Sequence, residues 1–218
     1  MDSKMRKWIV TILCLAGISG CVRESHEVVH TDATELGKRD GKTLYQSCLL
    51  CHSTQEMQRG PVLDGMEAWY VLEQLKKFDQ GIRGTNPKNR AEFLMGASMA
   101  RIQGEPELQA VAEYISTRPA KKHLTTLEGD AERGRELYTK CTACHGEDGR
   151  GKPELKAPAL HVQEDWFLLD QLRKYKMGLR GGHGSDIYGK VMAESVSQWK
   201  DKDLKDVVVY LNGLKSQN

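Results

Sequence analysis

The chain repeats itself, and the repeat carries cysteines. Gly41, Leu44, Tyr45, Cys48, Cys51 and His52 recur 93 positions later as Gly134, Leu137, Tyr138, Cys141, Cys144 and His145. Downstream the offset is 97, so that Pro61, Trp69, Leu72, Gln74, Gly81, Arg83 and Gly84 match Pro158, Trp166, Leu169, Gln171, Gly178, Arg180 and Gly181. It returns to 93 for Gly96, Met99 and Ala100, because the first copy carries a longer loop, TNPKNRAEFLM. Leu108, Val111 and Tyr114 then match Leu204, Val207 and Tyr210 at offset 96. One folding unit has been written twice. The expected organisation is a unit over 37–118, a linker over 119–128 opening near Pro119, and a second unit over 129–218.

Each unit reads as all-α. Residues 67–78 place Trp69, Leu72, Leu75 and Phe78 on one side at helical spacing, residues 164–175 do the same, and Gly81 and Gly178 are natural helix stops. Residues 105–116 and 201–214 read as a terminal helix in each unit, with no strand alternation common to the copies. Gly41 and Gly134, with Tyr114 and Tyr210, suit a close crossing of the first and last helices. Aromatic residues are only 6% of the chain, and two domains of this size would have thin cores unless a prosthetic group fills them.

Cys48-Leu-Leu-Cys51-His52 and Cys141-Thr-Ala-Cys144-His145 show what that group is expected to be. C-x-x-C-H is the pattern of covalent c-type haem attachment. On a helical turn, i and i+3 share a face, so two thiols reach the two vinyl groups of one porphyrin while the next imidazole reaches the iron. Three other readings compete. A shared four-cysteine zinc site leaves each His unexplained, a thioredoxin-like pair needs a βαβ setting that is absent, and a disulfide within each pair needs only an oxidising compartment. Two covalently bound haem c groups are the expected cofactors.

Met99 lies 47 residues after His52, and Met192 lies 47 after His145. Met is ordinarily a gap-filling core residue, but equal spacing in both copies marks these two as the sixth iron ligands beside His52 and His145. Met95 is the rival in unit one and His183 in unit two, neither with a counterpart in the other copy. His26, His30, His123 and His161 are likewise unmatched and read as solvated or capping residues. Pro61 and Pro158 stand where a backbone carbonyl can take the proximal imidazole N–H. Arg83 and Arg180 either pair with haem propionates, which suit a planar guanidinium, or lie on the exposed surface.

The N-terminus reads as an address. Lys4, Arg6 and Lys7 precede an apolar run from Trp8 to Ile18, too short to span a bilayer but right for a secretory signal over 1–20. Ile18-Ser19-Gly20-Cys21 resembles the lipobox of bacterial lipoproteins, which implies a lipidated Cys21, a tether over 21–36 and membrane attachment through the lipid. Val22 rather than Asp after that Cys leans toward the outer membrane. The whole-chain charge of +2 loses Lys4, Arg6, Lys7 and Asp2 with this segment, and the resulting neutral balance offers no case for nucleic acid.

On these motifs each unit resembles a class I cytochrome c domain, and the tandem resembles the dihaem cytochrome c4 group over residues 37–216. The carriers are CLLCH with GASMA, CTACHGEDGRG with GKVMA, and QLKKFDQGIRG with QLRKYKMGLRG. The resemblance implies two all-α haem domains and a function as a carrier of single electrons, not an enzyme, between periplasmic or membrane-bound respiratory proteins that act as redox donor and acceptor. The alternative is a haem subunit of a periplasmic oxidoreductase or a dihaem peroxidase. Unit one departs from the pattern in its shorter proximal loop, LLCHSTQEMQRGP.

Overall fold

Two aspartates start the two halves in the same way. Asp40 accepts the Thr43 N–H at 2.7 Å at the head of α1 (Gly41–His52), and Asp130 accepts the Arg133 N–H at 3.0 Å at the head of α5 (Ala131–Tyr138). Each satisfies one of the N–H groups that a helix start leaves unpaired. The computed structural model describes residues 39–54 and 58–214. The expected signal segment 1–20, Cys21, the tether 21–36, His26 and His30 lie outside the described residues.

After α1 come α2 (Ala68–Asp79), α3 (Arg90–Ser98), a 3₁₀ turn Met99–Arg101, and α4 (Gly104–Thr117). The second half follows α5 with α6 (Thr142–His145), a 3₁₀ turn Pro153–Leu155, α7 (Asp165–Lys176), α8 (Ile187–Val196) and α9 (Asp201–Leu214). Among the described residues there is no strand, only an isolated bridge between Lys152 and Ala157. Residues 90–95, read from sequence as loop, instead open α3. Ala, Glu, Phe, Leu and Met follow Arg90 there without a breaker, and good helix formers continue until packing stops them. Gly81 and Gly178 follow α2 and α7 at φ of 69° and 68°, the left-handed step that ends a helix without a Cβ penalty.

The first and last helices of each half cross at glycine. A Cβ on Gly41 would collide with the Ala110 carbonyl oxygen of α4, and one on Gly134 would collide with the Asp206 carbonyl oxygen of α9. The same crossing brings Tyr45 to Tyr114 with centroids 5.5 Å apart, and Tyr138 to Tyr210 at 5.6 Å. Around these crossings lie Leu44, Leu75, Val111 and Ile115 in the first half, and Leu169, Leu204, Val208 and Leu211 in the second. Each such burial contributes about 1.5–3 kcal/mol relative to exposure.

The described residues of the two halves form one contact unit, so the halves are packed against each other. Ala159 and Val162 of the second half belong to the first half's core. The connecting segment is fastened along its length: Lys121 reaches buried Asp64 at 2.9 Å, and the Thr126 and Leu127 N–H groups donate to Asp165 at 2.6 and 3.0 Å. His123, read as solvated, bonds through Nε2 to the Val162 carbonyl at 3.0 Å and is half-buried. His161 is likewise half-buried, with Nδ1 at 3.3 Å from the Gly149 carbonyl.

Candidate functional site

In unit one a single helix carries the whole attachment motif, because Cys48, Cys51 and His52 occupy the C-terminal end of α1. In unit two the chain breaks after α5, and Cys141 becomes the N-cap residue of the one-turn α6 that bears Cys144 and His145. Both arrangements keep the cysteines one turn apart with the histidine next to the second. Cys51 and Cys144 are exposed, and Cys48 and Cys141 half-buried. Burial pushes the Cys48 thiol up and the Cys141 thiol up to about 11. Among the described residues no three His, Cys, Asp or Glu side chains converge as a metal site, so the two cysteine pairs do not meet as one four-cysteine centre.

The histidines are held by one ring nitrogen and open at the other. His52 Nδ1 lies 2.6 Å from the Pro61 carbonyl oxygen, and His145 Nδ1 lies 3.0 Å from that of Pro158. A carbonyl can only accept, so the proton sits on Nδ1 and the lone pair on Nε2. Burial holds both imidazoles below their ordinary pKa, which keeps that lone pair available. Gly60 is required by this geometry, since a Cβ there would stand 2.6 Å from His52 Cε1.

Met99 sits in the 3₁₀ turn after α3, 5% exposed, within the first core. Its rival Met95 is half-buried, with its sulfur 3.6 Å from the Ser98 hydroxyl. Met192 lies on α8 and lines a cavity of ≈ 250 Å³ together with Cys141, Cys144 and His145. His183, the rival there, is exposed, is not among the lining residues, and accepts the Ser185 N–H at 3.2 Å. Leu155, Tyr188 and Val191 line the cavity and are also exposed, so it opens to solvent beside them.

The wall opposite comes from the other half. Trp69, Tyr70 and Gln74 of α2 line the cavity that holds the second unit's motif. Two buried N–H donors without a partner, Trp69 Nε1 from the first half and Arg180 Nε from the second, belong to side chains that line the cavity. A buried donor left unpaired costs about 1–3 kcal/mol, and the carboxylates of a haem would remove that cost. Two thiols, an imidazole nitrogen, a thioether sulfur and two unpaired donors around one apolar cavity fit a covalently held haem.

Arg83 and Arg180 are 8% and 6% exposed, which corrects the surface reading. Arg83 donates to Glu92 at 3.2 and 2.7 Å and to Gln74 at 2.6 Å. Arg180 donates to Gln171 at 2.7 Å and reaches across to the Tyr70 hydroxyl and the Gln74 side-chain oxygen, both at 3.1 Å. Sequence reasoning missed Glu67 and Glu164, which lie against the proximal loops of the opposite halves. The signal was there: they are 97 positions apart, two residues before the duplicated Trp.

The family model for cytochrome c matches residues 39–119 and again 131–215. The chain is similar to cytochrome c4 of Azotobacter vinelandii, with 24% identity across 96% of this chain and 100% of that one. It is similar as well to the thiosulfate dehydrogenase electron acceptor of Stutzerimonas stutzeri, with 27% identity across 70% of this chain and 77% of that protein. Its fold resembles the solved cytochrome c4 of Acidithiobacillus ferrooxidans, with a TM-score of 0.62 at 20% identity, covering 77% of this chain and 98% of that one. With CxxCH at 48–52 and 141–145, two tandem all-α domains and the family matched in both, the chain belongs to the cytochrome c family as a carrier of electrons through two covalently bound haem c groups.

Proposed function

We propose that His52 with Met99, and His145 with Met192, would hold the irons of the two haems. The observation that carries this reading is the presence of His145 and Met192 in the wall of one cavity beside both cysteines, with an equal spacing of 47 residues in unit one. When bound, each haem supplies a one-electron Fe(III)/Fe(II) couple. The protein's residues do the rest. The Pro61 and Pro158 carbonyls orient the imidazoles, and the thioether sulfurs favour a higher potential than a second imidazole would. Held by a histidine and a methionine each, the two irons would offer no position to substrate.

Cys21 would carry the lipid that ties the protein to the periplasmic face of a membrane, the outer one by the Val22 rule, with residues 21–36 as the tether. Donor and acceptor would be respiratory redox proteins. A second reading, the haem subunit of a periplasmic oxidoreductase, is supported by the similarity to a thiosulfate dehydrogenase electron acceptor.

Ferric absorption tests the ligation. The wild-type protein is expected to show Met-sulfur charge-transfer absorption from both haems, and Met99→Ala and Met192→Ala are each expected to remove half of it. Rapid cyanide binding by resting wild-type protein would sink the closed-site carrier. Membrane fractionation of Cys21→Ser, expected to release the protein into the soluble periplasm, tests the anchor. Co-purification with a dehydrogenase in fixed ratio would favour the second reading.

A further inference from the structure

The peptide groups that orient the two proximal histidines are each gripped from the opposite half. The Pro61 carbonyl takes the His52 Nδ1–H at 2.6 Å, and the N–H of that same peptide, on Val62, donates to Glu164 Oε2 at 2.8 Å. The arrangement is reciprocal. The Pro158 carbonyl takes the His145 Nδ1–H at 3.0 Å, and the N–H of that peptide, on Ala159, donates to Glu67 Oε2 at 3.2 Å. Glu67 and Glu164 are the N-cap residues of α2 and α7, and neither side chain caps its own helix. Each reaches across instead.

The two grips differ in strength. Glu164 is buried and is bonded by the Val62 N–H and by the Gln58 side-chain amide at 2.9 and 2.8 Å, neither of which is a cation. Gln58 in turn donates to the Gly60 carbonyl at 3.1 Å, so the carboxylate also braces the loop against His52. Glu67 is only half-buried and its bond is longer. An amide that donates to an anion becomes a stronger acceptor at its oxygen, because hydrogen bonds in a chain polarise one another in a low-dielectric interior. A stronger acceptor at Nδ1 makes the imidazole a better donor at Nε2, which favours Fe(III).

We propose that Glu164 is a positioning residue for the unit-one haem and Glu67 for the unit-two haem, each acting through a carboxylate–peptide–histidine relay that crosses between the halves and lowers the potential of the haem it serves. The relay is stronger toward unit one. It rests on His52 and His145 being the proximal ligands.

The test uses the full haem-loaded protein. Potentials are read by NMR-monitored titration, with each haem's methyl resonances assigned through contacts to its own CxxCH residues. Glu164→Gln keeps the shape and removes the charge. It is expected to raise the unit-one potential, changing the reduced-to-oxidised ratio at least threefold (about 28 mV for one electron), to leave unit two in place, and to weaken the His52 Nδ1–H bond, seen as an upfield shift of that proton. Glu67→Gln is expected to move unit two the same way by less, and Glu164→Asp to fall between wild type and Glu164→Gln. Lys77→Met, which breaks the cross-half pair with Asp186 at 2.7 Å and touches neither peptide, controls for loosened packing. A shift on the haem of the mutated half, an equal shift from Lys77→Met, no shift, or a potential shift with the His52 proton unmoved overturns the relay. If wild-type protein lacks Met-sulfur absorption, the methionine ligation falls while these readings still decide the relay, which needs only the histidines.

Discussion

Arg83 and Arg180 hold equivalent places in the two halves, yet they bond different partners. Arg83 has Glu92, nine residues on in its own half, as a buried bidentate partner. At the offset of 93 that aligns Gly96 with Gly189, Ser185 stands in the place of Glu92, so Arg180 bonds no such carboxylate and draws on Tyr70 and Gln74 of the first half. The favour is not returned, because the counterpart of Tyr70 is Phe167, which has no hydroxyl. The tyrosines near the first helices diverge in the same manner. Tyr45 donates to buried Asp64 at 2.7 Å, whereas Tyr138 donates to the Gly146 carbonyl at 2.8 Å, and His161 stands in the place of Asp64. The first half thus completes its buried charges from within and from the linker. The second completes its arginine from its neighbour, so it depends more on the interface.

The largest expected effects fall where the halves are alike. Gly41→Val and Gly134→Val each drive a side chain into a backbone carbonyl that cannot rotate away. Overpacking of this kind costs about 1–3 kcal/mol where side chains can yield, and a loss above that range is expected here for both. Thermal unfolding of the two variants reads it, and tolerance in one half alone would break the shared crossing.

The arginines come next and should separate the halves. Arg83→Leu strands Glu92 as a buried unpaired charge, for which about 3–5 kcal/mol is expected. Arg180→Leu loses hydrogen bonds to Gln171, Tyr70 and Gln74 without stranding a buried protein carboxylate, and about 1–3 kcal/mol is expected. Denaturant melts of both proteins check the order, and a costlier Arg180→Leu would reverse the comparison.

The smallest effect is the pH dependence that Asp64 contributes in the first half. Burial alone would push Asp64 up, but hydrogen bonds from Arg118, Tyr45 and Lys121 outweigh it and hold the carboxyl at about 2. Its folded pKa is below its ordinary value of 3.8, so its contribution is complete above that value and is lost as the pH falls toward 2. Stability measured across that window is expected to fall less steeply in Asp64→Asn, while an equally steep fall would mean that other carboxylates govern the acid limb.

The elements most legible in the sequence were those whose chemistry is local. Residues 67–78 and 105–116 read as helices and form Ala68–Asp79 and Gly104–Thr117, because apolar spacing and glycine stops act within one or two turns. The start of α3 was hidden inside the segment 85–95, which looked like an inserted loop because the first copy is longer there. The exposed reading of Arg83 and Arg180 failed for a related reason: an arginine is buried only when partners are delivered to it, and Gln74, Glu92 and Tyr70 arrive through the fold.

By itself the sequence determined that there are two units, that each presents two thiols and an imidazole on one helical turn, and that a haem is the group those spacings serve. Two thiols one helical turn apart and the adjacent imidazole serve one porphyrin, so the chemistry is written in neighbouring residues. Only the tertiary structure decided that the halves share their cavity wall, that Arg180 borrows its partners, and that Glu164 and Glu67 hold each other's histidine loops. Those bonds join residues about a hundred positions apart, where neither helical periodicity nor motif spacing leaves a trace, and packing alone brings the groups within reach.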